Sequence, residues 1–450
     1  MPRLKEVSHP FLNTTYSLHR VSPLYKFPTL NPSEHLHQAE QSPKQRSQSP
    51  FKAHERALTN LLKGEVLRGV NVSRWDASFD GENAEMAKLG RFKGCKWCLV
   101  PTLAALREYS AEQALREVED NDDEEEEDME RVWAKAIRGR GDVAGVEVSF
   151  DYERGLGGYV AYLIGPPQKE DGEFTKLPLV LTRLPKLLVD VLFEYLAATF
   201  DTLALSMGVT EGTSGMGAGN GESVGWLGEM LEMYVEQMKG RVDKGIALTY
   251  RIPTGLGSGV KVITAGLEKG DISGFLSYGM ALGPRMTRNG KKRKREGNDD
   301  AEQSKRRGPF LLAVERHMES TMSLDATKLT LTKVTCGGFI VGGAPSGATI
   351  ANGDGKKATT EAEATEPSGR VKIFVRRKGQ IKGADGDEDQ GAMDGRSGEE
   401  AAAEKFMDEL IQLAIRKGGI ANYVYANGGD DGRTSNVIEP KQTTGKILRG

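Results

Sequence analysis

Apolar and polar positions alternate most regularly in GVEVSFDYERGLGGYVAYLIG, where Val146, Val148, Phe150 and Tyr152 occupy every second position. A glycine-rich turn leads into a second apolar run over 159–164. Period two broken by a turn predicts a β-hairpin, because successive side chains of a strand point to opposite faces. The period then changes. Leu184, Leu187, Leu188, Val191, Leu192, Tyr195 and Leu196 recur at helical spacing over 184–205, with Pro185 suited to the first turn. Val224, Leu227, Leu231, Val235 and Met238 predict a second amphipathic helix, and Phe310, Val314 and Met318 a third over 310–322. Between them, GIALTYRIP and GVKVITAGL read as two strands flanking a turn.

Further segments read more briefly. FLNTTYSLHRVSPLY, residues 11–25, predicts a strand or an ordered extended arm. AHERALTNLLKGEVLRGVNV predicts a helix ending near Gly64 and a strand over 66–72, and GCKWCLVPT a short strand. KLTLTKVTCGGFIVGG alternates like a strand or short hairpin. RVKIFVRR places Val371, Ile373 and Val375 on one face of a strand. A last helix spans 403–417, with Arg416 and Lys417 at its negative end and Gly418 and Gly419 to cap it.

Polar tracts divide these elements. Residues 28–50 are rich in Pro, Ser and Gln and read as a disordered linker after an ordered segment 1–27. The core is expected over 51–377, with insertions at 117–130, 208–222, 287–308 and 346–369. Eleven of the fourteen residues in 117–130 are acidic, a density of like charge that resists packing. A disordered insertion over 378–402, the helical segment 403–424 and a flexible tail over 425–450 complete the chain. Connections between strands dominate, so the expected fold is α/β in the α+β sense: a largely antiparallel sheet with helices on one side.

Composition sharpens this picture. The chain has 450 residues, 38% apolar, with 55 glycines, which suggests a packed core diluted by insertions. The net charge is only −3, and the charges lie in blocks. Three cysteines, Cys95, Cys98 and Cys336, cannot form a secreted disulfide framework, and no apolar run approaches the ~18–20 residues that span a bilayer. The first twenty residues lack the apolar core of a secretory signal. An intracellular, soluble protein with no membrane partner is expected.

Candidate chemistry is thin. CKWC has knuckle spacing, but a structural zinc needs four ligands, and the remaining Cys and His lie far off in sequence. Structural thiols on a strand are expected instead. GLGSGVK runs into a strand pattern and lacks the phosphate-loop spacing, so it reads as a hairpin turn. The motifs G-x-S-x-G and H-E-x-x-H do not occur. No enzyme activity, metal or cofactor is expected. The strongest motif is TRNGKKRKREGNDDAEQSKRRGP. Its clusters are Lys291, Lys292, Arg293, Lys294 and Arg295, then Lys305, Arg306 and Arg307. Two basic clusters split by Glu and Asp suit a nuclear-import receptor better than a DNA grip; an auxiliary DNA contact or a solvated loop are the alternatives. Ser42 and Ser49, each before proline, are candidate phosphorylation sites in an otherwise ordinary linker.

FLNTTYSLHRVSPLY, with Asn13, Thr14, Thr15, Ser22, Pro23 and Leu24, resembles the opening segment of fungal members of the CENP-L family, inner-kinetochore subunits of the constitutive centromere-associated network. The order of later blocks is also similar: EVLRGVNV, the hairpin at 145–164, LPKLLVDVLFEYLAATFD, and PFLLAVERHMESTMSLDATKLTLTKVTCGGFIVGG followed by RVKIF. The resemblance implies a curved, mostly antiparallel sheet backed by helices and no enzyme activity. It implies pairing with a CENP-N-like subunit, contact with other inner-kinetochore proteins, and centromeric chromatin carrying CENP-A, reached through the partner. The expected location is the nucleus, at the kinetochore. Family members join their partner largely through the C-terminal half. Strand addition suits such a join, and Val371, Ile373 and Val375 are the candidate interface strand, with an ordinary internal strand as the alternative. Two rival functions remain at this stage: a nucleolar or ribosome-assembly factor binding RNA, and an enzyme with an unrecognised site.

Overall fold

The computed structural model describes residues 11–30, 50–64, 91–106, 108–109, 129–140, 142–153, 158–166, 173–209, 225–239, 242–252, 260–282, 308–325, 329–343, 369–374 and 398–417. In chain order the elements are β1 (Thr15–Val21), β2 (Leu24–Tyr25), α1 (Pro50–Gly64), β3 (Phe92–Pro101), α2 (Met129–Arg140), β4 (Val143–Tyr152), β5 (Tyr159–Ile164), β6 (Phe174–Thr175) and β7 (Leu179–Arg183). Then follow α3 (Lys186–Phe200), β8 (Ala204–Ser206), α4 (Trp226–Gln237), β9 (Ile246–Arg251), β10 (Val262–Leu267), α5 (Lys269–Leu282), α6 (Pro309–Met322), β11 (Thr330–Thr335), β12 (Phe339–Gly343), β13 (Gly369–Ile373) and α7 (Gly398–Lys417).

Among the described residues, eleven strands form one antiparallel sheet in the order β10-β9-β11-β12-β13-β1-β7-β5-β4-β3, with β8 also on β1. Of the two readings for residues 11–25, the strand is the one observed, and it is central. β1 pairs with β7 along one side and with β13 and β8 end to end along the other. The earliest strand in sequence therefore joins a half built from 92–183 to a half built from 246–373. Asn13 takes the left-handed conformation that Asn tolerates, and its N–H donates to Ile373 O at 2.7 Å, which sets the register of β1.

Burial divides the core between the two faces of the sheet. On the first face, Tyr16, Leu18, Leu181, Tyr162, Val371, Val341, Val334 and Leu248 lie in rows beneath α4, α6, α7 and α2. Phe406 of α7 stacks on Phe339 of β12 at 4.4 Å and meets Trp226 of α4 at 5.8 Å, so the last helix is fixed to the sheet by aromatic burial. On the second face, Val146, Val148, Phe150, Ala161, Leu163 and Val180 pack beneath α1 and α3. Helices were expected on one side only. β5 is buried on both faces along most of its length, as its continuous apolar run requires, so this half of the sheet carries helices on both sides.

The hairpin at 145–164, the helices near 184, 224, 310 and 403, and the β11–β12 hairpin match the sequence periodicity. The first of those helices ends at Phe200, where Asp201 turns left-handed and the chain enters β8. Two helices, α2 and α5, were not read from the sequence. The strand expected over 66–72 lies outside the described residues.

Candidate partner interface at the open sheet edge

A sheet ends where backbone N–H and C=O groups lose their strand partner, so the two terminal strands decide where another chain can add. β3, at one end, is covered. The outward N–H of Trp97 donates to Glu55 Oε1 at 3.0 Å, and that of Cys95 approaches Thr59 Oγ1 at 3.4 Å, both residues on α1. Phe27, Phe51, His54 and Tyr195 surround the Trp97 ring, with Phe200 against Phe27 and His54, and hold α1 there. β10, at the other end, pairs with β9 in unbroken register from Val262 to Leu267 and has no strand or helix on its outer side among the described residues. None of its residues is fully buried.

The helix that follows β10 is similarly uncovered. α5 carries Ile272, Phe275, Leu276, Tyr278, Met280 and Leu282, yet only Ile272 and Gly279 are buried. Tyr278 is 51% exposed, Met280 60% and Leu282 40%, and Met322 at the end of α6 is also exposed. Large apolar side chains left exposed on a helix beside its buried stripe suit contact with another protein. α5 is held on α6 at one close contact, where Gly279 meets the Pro309 backbone. Phe275 adds edge-on contacts to Phe310 and His317. A smaller apolar group, Phe174, Leu203 and Leu205, is exposed on or beside the two- and three-residue strands β6 and β8, too short to extend a sheet.

The second face of β9–β13 also lacks a cover among the described residues. Its residues alternate with the buried row, and none of Ala247, Thr249, Arg251, Lys333, Thr335, Ile340, Gly342, Arg370 and Lys372 is buried. Arg251, Lys333, Arg370 and Lys372 make this face basic, and no strand residue on it is acidic. Lys372 also lies over the Phe374 ring at 5.0 Å, with Lys244 on the same ring at 5.7 Å.

A family model described as "CENP-L: Centromere protein L" matches residues 10–415, nearly the whole chain. The chain belongs to the centromere protein L family. It is a nuclear protein of the centromere and kinetochore, working in chromosome segregation among other inner-kinetochore components, in a family that is structural in role. No curated protein matches the chain. No described helix is long and apolar enough to cross a membrane.

Within this CENP-L chain, the residues marked from sequence fall in different places. Val371 and Ile373 are 1% and 2% exposed, and β13 is flanked by β12 and β1. The expectation that this strand offers a free edge is corrected: its hydrogen bonds are taken within the chain, and the alternating pattern arose from packing on one face. Val375 lies outside the described residues, as do Lys291, Lys292, Arg293, Lys294, Arg295, Lys305, Arg306 and Arg307. Among the family-like residues, Asn13 precedes β1, Thr15 starts it, and Leu24 is fully buried. Ser22 N donates to Leu203 O at 3.0 Å, Leu203 N donates to Ser22 Oγ at 2.9 Å, and Thr202 Oγ1 donates to Ser22 O at 2.8 Å. These residues build the sheet's centre.

CKWC lies in β3, where a spacing of three sends the two thiols to opposite faces. Cys95 is buried against α1, and its Sγ donates to Glu55 O at 3.3 Å; burial pushes its thiol up. Cys336 is pushed up to about 12 by burial, with Sγ donating to Phe339 O in the β11–β12 turn. Both are poor thiolates and suit packing rather than metal binding or nucleophilic attack. No metal-holding group of His, Cys, Asp and Glu occurs among the described residues.

Proposed function

We propose that this chain pairs with a CENP-N-like subunit by accepting a strand of that partner along β10 while the partner packs on the exposed side of α5. The carrying observation is the coincidence of an open sheet edge and an uncovered apolar helix in consecutive elements, 262–282, while the opposite edge is sealed by α1. Backbone hydrogen bonds along β10 give affinity, and burial of Tyr278, Met280 and Leu282 supplies the apolar area that a lasting interface needs. The location in the C-terminal half agrees with the family expectation, although the strand is β10 rather than β13.

The basic, uncovered face of β9–β13 supports the chromatin part of this reading: the pair turns Arg251, Lys333, Arg370 and Lys372 toward the phosphates of centromeric DNA. The two basic clusters at 291–295 and 305–307 serve nuclear import in this proposal. The nucleolar alternative gains nothing from the family match.

Co-expression of the tagged chain with the CENP-N-like subunit of the same organism tests the pairing. An equimolar complex through size exclusion is expected, and Tyr278→Glu with Met280→Glu removes it without unfolding the chain. A natural chain that elutes alone contradicts the proposal.

A further inference from the structure

A cleft of about 560 Å³ opens at the foot of β9 and β10, lined by Gly245, Ile246, Ala247, Gly266, Leu267 and Thr335, with Glu268 and Lys269 at its margin where α5 begins. Its floor is one row across the sheet. Gly266 pairs with Ala247, and Ala247 with Thr335, so a glycine and two small side chains follow one another on the second face.

Glycine inside a strand costs about 0.5–1 kcal/mol relative to alanine, and it ordinarily marks a bulge, a special backbone conformation or the close approach of another group. Gly266 has no bulge, since the β9–β10 register is continuous on both sides of it. Its φ is not positive. No described atom of the chain needs the space either: a Cβ built there meets nothing within 4 Å among the described residues. Gly245, in the same cleft, is different, because its Cβ would come within 2.5 Å of Leu267 O, so the chain's own packing fixes it. For Gly266 the remaining reason is the approach of a group other than the described residues.

Resting on the pairing reading above, we infer that the strand added to β10 places a bulky aromatic side chain opposite Gly266, where it lies over the glycine into this cleft toward Ala247. Directly opposed residues on antiparallel neighbours have Cβ atoms ~4.5–5.5 Å apart, within reach of a ring folded across a glycine. An aromatic laid over a glycine is a recurrent way to restore apolar cover on a weak strand and to fix register. Buried aromatic anchors seated in pockets also carry a disproportionate part of interface energy. The occupant is thus part of the partner protein, and the cleft fixes the register of its strand on β10.

The test uses the full chain and its co-purified CENP-N-like subunit. Gly266→Ala is expected to leave the dissociation constant within about threefold, since a methyl leaves most of the cleft free. Gly266→Phe fills the cleft from within and is expected to weaken binding at least tenfold, with the melting temperature of the chain alone unchanged. Binding by Gly266→Phe as tight as by the natural chain overturns the cleft inference and leaves the pairing reading standing. A lowered melting temperature of the isolated Gly266→Phe chain also overturns it, by showing that the chain itself fills the cleft. A natural chain that forms no complex overturns the pairing reading, and this inference with it.

Discussion

Glu232 reaches from α4 to the first turn of α6 and accepts a hydrogen bond from Leu311 N at 2.6 Å, while its second oxygen accepts one from Phe310 N at 3.2 Å. α6 has no side-chain cap of its own, so this carboxylate satisfies donors that a helix start leaves unpaired. Replacing Glu232 by Ala leaves those donors buried without a partner. The expected cost is about 1–3 kcal/mol in chemical denaturation. Burial pushes this carboxyl up, with Glu236 and Glu315 adding to the rise and the two N–H groups opposing it. Its proton-linked contribution is therefore complete below the ordinary carboxylate range and declines as pH rises through the raised folded value. Glu232→Gln should lack that slope. An Ala variant as stable as the natural chain would show that the cap contributes nothing.

Gly279 and Gly274, both on α5, should answer alanine with opposite signs. A Cβ at Gly279 collides with the Pro309 backbone, whereas one at Gly274 meets nothing within 4 Å. Gly279→Ala should cost about 1–3 kcal/mol by forcing α5 from α6. Gly274→Ala should gain up to ~1 kcal/mol from helix propensity alone. Thermal melts of the two variants decide this, and equal shifts would mean that α5 is not seated on α6 at Gly279.

His19 lies buried on β1, with Nε2 2.9 Å from Thr182 Oγ1, the Phe193 ring edge-on at 4.9 Å, and no partner for Nδ1 among the described residues. Burial lowers its pKa from 6.5 to about 4. A base with a depressed folded pKa stabilises the fold fully above its unfolded value, and that share is lost as pH falls from about 6.5 to 4. The loss is on the order of 3 kcal/mol. Urea midpoints should fall across that window, and His19→Leu should flatten the decline. His54 on α1, also depressed by burial, adds a smaller change of the same sign.

The periodic parts of this fold were legible because one physical cause dominated each. β4, α3, α6 and α7 bury one face, so period and burial coincide. α5 was hidden for a different reason: its buried stripe, Ile272, Phe275, Leu276 and Gly279, is diluted by glycine, and the apolar Tyr278, Met280 and Leu282 lie beside it rather than opposite polar residues. β13 misled in a related way. Alternation of Val371 and Ile373 reports a buried face, and nothing in a strand's pattern says whether its edges are paired. The open edge at β10 follows from the order of strands, and that order is set by long-range pairing, with β1 from the start of the chain inserted between β7 and β13. The sealing of β3 depended on Glu55 and Thr59 meeting it from another element, which no local motif announces.

The basic sheet face makes a salt-dependent prediction. Charge reversal at Lys333, Arg370 and Lys372 should weaken duplex DNA binding by the partner-bound chain at least tenfold at about 0.15 M salt. It should also reduce the slope of log affinity against log salt by roughly 2–3, since each phosphate contact contributes about 0.9. Titrations at several salt concentrations measure both quantities. An unchanged slope would place the DNA contacts elsewhere.

Hydrogen exchange on the chain alone and with its CENP-N-like subunit tests the central claim most directly. The account predicts strong new protection of the amides of β10 and α5, residues 262–282, with β3 and β13 unchanged because their hydrogen bonds are already made. Protection that leaves 262–282 untouched and appears at β3 or the β8 end of the sheet would contradict it.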